Sequence, residues 1–160
     1  MVAKLLMDAD RGLKKLLRDL ETLGKSKIKV GIQGPKAGEV HRGSALTMVE
    51  LGTIHEYGAP AANVPQRSFL RGTLDENPGQ WSKELDKQTA RVAKEGANPK
   101  QALMVVAEKL RTAVLDRIDR GIPPPLKDAT IARKGGETTP LIDTGALRGS
   151  ITATVGEGEK

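Results

Sequence analysis

The strongest constraint on how this chain folds is a stripe of branched apolar residues, Leu103, Val106, Leu110, Val114 and Ile118, spaced three or four apart. That spacing puts all five on one face of an α-helix. Asn98-Pro99 precedes the stripe and Gly121 follows it. Asparagine caps a helix start, proline at the first helical position loses only an N–H without a helical partner, and glycine accepts the left-handed conformation in which helices stop. The same opening recurs at Asn77-Pro78 and predicts a second long helix, running to about Glu95 and ending at Gly96. Two long helices therefore occupy the middle of the chain.

The flanks add smaller elements. Leu13, Leu16, Leu17, Leu20 and Leu23 recur at helical spacing, so an amphipathic helix starts before Leu5 and stops at Gly24. KIKVGIQ alternates Ile28, Val30 and Ile32 with Lys27, Lys29 and Gly31, the period of a strand with one wet face. Ile151, Ala153 and Val155 repeat that period near the other end. Strands at opposite ends around a helical middle predict an α+β fold, with a small antiparallel sheet packed against several helices. Between them, Gly34 to Gly43 reads as a mobile loop, Ser44 as the cap of a helix that Gly58 stops, and Ser68 to Glu76 as helix. Pro60 and Pro65 stiffen the stretch before that helix. Asp128 is expected to cap a short helix after IPPPL, and Asp143 a single turn from Thr144 to Arg148. Residues 156–160 are expected to form a polar tail.

With 160 residues the expectation is one domain over 1–160. Only 2% of the residues are aromatic, Tyr57, Phe69 and Trp81. A core without these large contributors leaves room for subunit contacts to supply stability. The absence of cysteine excludes disulfides and thiolate metal sites. The N-terminus carries acids inside its apolar stretch, so the chain reads as soluble and unprocessed, with no membrane partner.

A net charge of +6 suggests phosphate-bearing partners. Its distribution points elsewhere, because DRGLKKLLRDLE and EKLRTAVLDRIDR interleave both signs as solvated helix faces do. A basic nucleic-acid-binding module stays as the alternative; separated aromatics offer no stacking platform for single strands. For catalysis, His41 and His55 are the only histidines and lack zinc-type spacing, so no metal or other cofactor is expected. Ser44, Ser68, Thr144 and Ser150 each have a local cap or turn role. No G-x-S-x-G elbow occurs, and GPKAGEVHRGS lacks the lysine-plus-hydroxyl ending of a phosphate loop. A hydrolase using His55 and a nearby hydroxyl is the third reading.

Three stretches carry more specific information: IHEYGAPAANVPQRSFLR (54–71), PPPLKDATIARKG (123–135) and PLIDTGALRGSI (140–151). In order and content they resemble the neck and tail-completion proteins of tailed bacteriophages, including the putative tail-component and virion-morphogenesis families. The first motif maps on His55, Glu56, Tyr57 and Gly58, then Pro65, Arg67, Phe69, Leu70 and Arg71. The last maps on Leu141, Asp143, Thr144, Gly145, Leu147, Arg148, Ser150 and Ile151. The chain departs from the family pattern at Ser68, where a second proline is usual, and in the loop from Pro35 to Arg42.

The resemblance implies a non-enzymatic virion protein of the phage neck, made in the host cytoplasm. It implies a homo-oligomeric ring, commonly a hexamer with a dodecamer as the alternative. Such a ring lies between the head connector or head-closure proteins and the tail tube or terminator, and lets genomic DNA pass. The residues of the first motif, together with Arg148, are then expected at subunit or neck interfaces, Arg67 and Arg71 pairing with carboxylates such as Glu56. Leu141, Asp143, Thr144, Gly145, Leu147, Ser150 and Ile151 are expected to form a structural turn, Asp143 and Thr144 capping it and Leu147 and Ile151 anchoring it.

Overall fold

A computed structural model describes residues 2–41 and 44–158, with 2–10 described by backbone alone. Arg42 and Gly43, at the end of the expected mobile loop, and the last two residues of the polar tail lie outside the described residues. The fold is α+β. Its two strands, β1 (Ser26–Ile32) and β2 (Ile151–Glu157), form a two-stranded antiparallel sheet. The helices are α1 (Val2–Lys25), α2 (Met48–Tyr57), α3 (Arg71–Glu76), α4 (Pro78–Glu95), α5 (Pro99–Arg120), α6 (Asp128–Arg133) and α7 (Ala146–Gly149).

The long central helices begin and end where their sequence signals lie. Asn98 Oδ1 accepts from the Gln101 amide at 3.1 Å, and Gly96 and Gly121 follow α4 and α5 with φ of 68° and 78°. Other boundaries move for local reasons. Gly24 stays inside α1 and is not left-handed, because Ser26 Oγ donates to Thr22 O at 2.7 Å and satisfies one terminal carbonyl. At α2 the cap is Thr47 and not Ser44. Thr47 and Glu50 form a reciprocal capping box, with the Thr47 amide donating to Glu50 Oε2 at 2.8 Å. Helix α3 starts at Arg71 and not at Ser68, for a reason given below. Asp128 occupies the first helical position of α6 and makes no cap, since Lys127 precedes it there without a side-chain bond. The expected loop after β1 contains a 3-10 turn, Gly34–Gly38, and an isolated bridge between Val40 and Thr47.

The chain divides into two compact units. The first gathers 1–29, 79–108 and 154–160, the second 30–78 and 109–153. In the first unit Val92, Leu103, Val106 and Ala107 are buried. Gly158 N donates to Lys25 O at 2.7 Å there, closing the sheet end. Helix α1, in contrast, leaves Leu13 55% and Leu17 58% exposed.

The second unit holds the larger core, Phe69, Val114, Ile118, Ile122, Leu147 and Ile151. Val30, Ile32, Leu70 and Leu141 pack against it. Helix α2 crosses this core through Gly52, where a Cβ would lie 2.3 Å from Ile32 Cδ1 and 3.7 Å from Leu147 Cδ1. Any side chain at Gly52 would require Ile32 to change its rotamer. Among the described residues no helix is long and apolar enough to cross a membrane.

Candidate functional site

The His-Glu-Tyr-Gly end of α2 and the segment that follows it build one joint. Gly58 turns the chain with φ of 78°, and a Cβ there would stand 2.9 Å from Gln66 N. Ala59 and Val64 bridge across the loop. Returning past α2, the chain makes Arg67 N donate to His55 O at 2.8 Å and Gln66 Nε2 donate to Glu56 O at 3.1 Å.

This return delivers the next four residues to one carboxylate. Glu56 Oε1 accepts from Ser68 Oγ at 2.5 Å and from Arg71 N at 3.0 Å. Its Oε2 accepts from Phe69 N and Leu70 N, both at 2.9 Å. A helix start leaves its first amides without partners, and here a glutamate from another helix supplies the acceptor. Ser68 Oγ in turn accepts from Gly72 N at 3.0 Å. The first turn of α3 is thus capped from outside its own sequence, which places its start at Arg71. With Glu56 occupied by amides, neither arginine pairs with it: Arg71 Nε lies 3.6 Å from Asp75 Oδ2.

Arg67 is only 5% exposed, and its bonds go to backbone. Nε donates to Ile122 O and Pro124 O at 3.2 Å each, and Nη2 to Pro124 O at 2.7 Å. It ties the first motif to the IPPP stretch, and burial pushes its pKa down. Phe69, at 0% exposure, anchors the joint in the core, while Tyr57 is 67% exposed and Pro65 is exposed.

The last motif packs into the same unit and forms only part of the cap expected of it: Thr144 Oγ1 accepts from Ala146 N at 3.4 Å, while Asp143 does not cap the helix. Helix α7 opens on Gly145 with φ of 75°, and Asp143 is exposed. A left-handed glycine turns the chain so sharply that the helix starts two residues later than a cap at Asp143 requires. Leu147 and Ile151 are buried as expected, Ser150 Oγ donates to Leu147 O at 2.6 Å, and Leu141 adopts φ of 67°. Arg148 donates to Asp119 through Nε at 2.7 Å and Nη2 at 2.8 Å, a bidentate pair within the chain. That bond holds the Asp119 carboxyl below its usual range.

The unit encloses a half-open cavity of about 480 Å³ between α2, α6 and the Leu141–Leu147 stretch. Its charged and titratable lining is His41, His55, Arg67, Arg133, Lys134 and Asp143. Leu51, Leu126, Ile142 and Leu147 supply apolar wall. The two histidines, 14 positions apart in sequence and unrelated by motif spacing, meet at this cavity. His55 Nδ1 is buried without a hydrogen-bond partner. Burial lowers the His55 pKa, and the nearby charges of Arg67, His41 and Lys134 lower it further. Among the described residues no group of three or more His, Cys, Asp or Glu is placed to hold a metal ion.

Arg117 is a residue that sequence reasoning missed. From α5 its Nε donates to Ser68 O at 2.9 Å and its Nη1 pairs with Glu76, so it spans α3 from end to end. Gly72 makes room for it, since a Cβ there would meet Nη2 at 2.6 Å. In sequence Arg117 sits in an interleaved charge run that looks solvated, and no local signal sets it apart. Comparison of the chain with protein-family models, curated proteins and solved structures found no match.

Proposed function

We propose that this chain is a structural virion protein of a tailed bacteriophage, a subunit of a neck or tail-completion ring that joins or terminates the tail at the head connector. The observation that carries the reading is the ordered presence of the three motif stretches, 54–71, 123–135 and 140–151. Their placement supports treating them as one framework. Arg67 of the first bonds to Pro124 of the second, and residues of all three line one cavity.

Two features support an assembly role over a catalytic one. Ser68 and Ser150, two of the candidate hydroxyls, are held by Glu56 and by Leu147 O, and the Glu56 carboxylate already accepts from three backbone amides. Leu13 and Leu17 on α1 in the first unit, and separately Tyr57 at the end of α2 in the second, are exposed apolar side chains. A ring of six subunits, or of twelve, would cover such surface and leave a passage for DNA. The test is light scattering across a concentration series together with co-sedimentation on purified phage tails and heads. Higher-order mass, or binding to either particle, is the expected result. A strictly monomeric protein that binds neither would overturn the reading, as would tight DNA binding that falls steeply with salt.

A further inference from the structure

The geometry points to the cavity between α2 and α6 as a binding site for a small oxyanion, a carboxylate or a phosphate group, received by Arg133, Lys134 and the ring of His55. The inference stands apart from the neck reading and does not require it.

Three cationic side chains, Arg67, Arg133 and Lys134, face this space against one carboxylate, Asp143. Arg67 is committed to carbonyls through Nε and Nη2, and Lys134 Nζ donates to Thr139 O at 2.9 Å; Arg133 is exposed at the rim. The lining thus carries more positive than negative formal charge. A metal ion would meet that repulsion with two imidazoles and a single carboxylate to hold it, whereas an oxyanion is attracted by the same charges. His55 lines the cavity, and since its Nδ1 is buried without a partner, an anion there meets the ring through its other edge. At about 480 Å³ the cavity is of the size that small ligands occupy, and its leucine and isoleucine wall suits the remainder of an organic anion.

The groups facing His55 fix the sign of the linkage. Arg67 comes from the segment before α3, His41 from the loop before α2, Lys134 and Arg133 from the end of α6, and Asp143 from the stretch before α7. Burial first, and then the positive charges of Arg67, His41 and Lys134, disfavour the imidazolium form of His55. A bound anion favours imidazolium, so binding takes up a proton and tightens as pH falls, until both forms are protonated. An opposite charge at this range raises a pKa by about one unit or more, which corresponds to roughly tenfold in affinity.

The test uses the full-length protein and the ring NMR signals of its two histidines, assigned with His41→Gln. Sulfate stands for the phosphate class and acetate for the carboxylate class, since both keep a constant charge between pH 6 and 8; sodium chloride at matched ionic strength is the reference. A saturable shift of the His55 signals with a raised His55 pKa is expected. Response to sulfate alone assigns a phosphate-type ligand, and response to acetate alone a carboxylate. Arg133→Gln, an exposed change that leaves the core untouched, is expected to weaken binding up to about fivefold. His55 signals that stay still, or move equally with chloride, would overturn the proposal. So would equal affinity in Arg133→Gln.

Discussion

Glu56 accepts hydrogen bonds from three successive backbone amides and one hydroxyl while only 6% exposed. Its neutral isostere Glu56→Gln keeps one acceptor oxygen and turns an N–H₂ toward the donors. We expect it to lower stability by about 3 kcal/mol, read by urea denaturation. Asp143→Ala is the contrasting case. A working N-cap would cost about 1 kcal/mol, but an exposed Asp143 without that bond predicts less than about 0.5. His55 gives a pH dependence. Because its folded pKa is depressed, the unfolded chain takes up the proton first as pH falls below about 6.5. Stability present above that pH is then lost below it, by at most about 1.4 kcal/mol per pH unit. His55→Gln is expected to flatten this part of the profile between pH 7.5 and 5.5.

At the scale of elements, the α2–α3 joint depends on backbone conformation as much as on contacts. Gly58→Ala would put a Cβ 2.9 Å from Gln66 N at a φ of 78°, and is expected to cost about 2–3 kcal/mol in thermal or urea unfolding. The capping box at Thr47 is the second lever on α2, and Thr47→Ala is expected to cost about 1 kcal/mol. How much of this was legible depends on where the partners sit. Asn98-Pro99 with Gly121, and Gly96 after Glu95, are local signals, and α4 and α5 obey them. The Thr47-x-x-Glu50 box is equally local, a hydroxyl followed three positions later by a carboxylate. The start of α3 was different. Its cap lies 15 positions before Arg71, on another helix, so no reading of 68–76 alone finds it.

For the whole molecule, the test of assembly lies on α1. Leu13 and Leu17 are more than half exposed, so replacing both with serine removes little buried contact within the subunit. The melting temperature is expected to change by no more than about 2 °C, while any oligomer seen by light scattering loses mass. A double variant that instead unfolds would place this face inside the subunit. The division into two compact units was not visible beforehand, because both are assembled from separated segments and β1, β2 and α5 contribute to each.

The sequence by itself determined the α+β class, the two end strands, the long central helices and the burial of Phe69, Leu147 and Ile151, since periodicity and terminal Asn, Pro and Gly act within a few residues. Tertiary structure alone decided what the polar motif residues bond to. Glu56 caps α3, Arg67 holds the Pro124 carbonyl, Arg117 spans α3, and His41 and His55 meet at one cavity. Each of those contacts pairs a side chain with a group distant in sequence, and the chain encodes such partners only through the packing that brings them together.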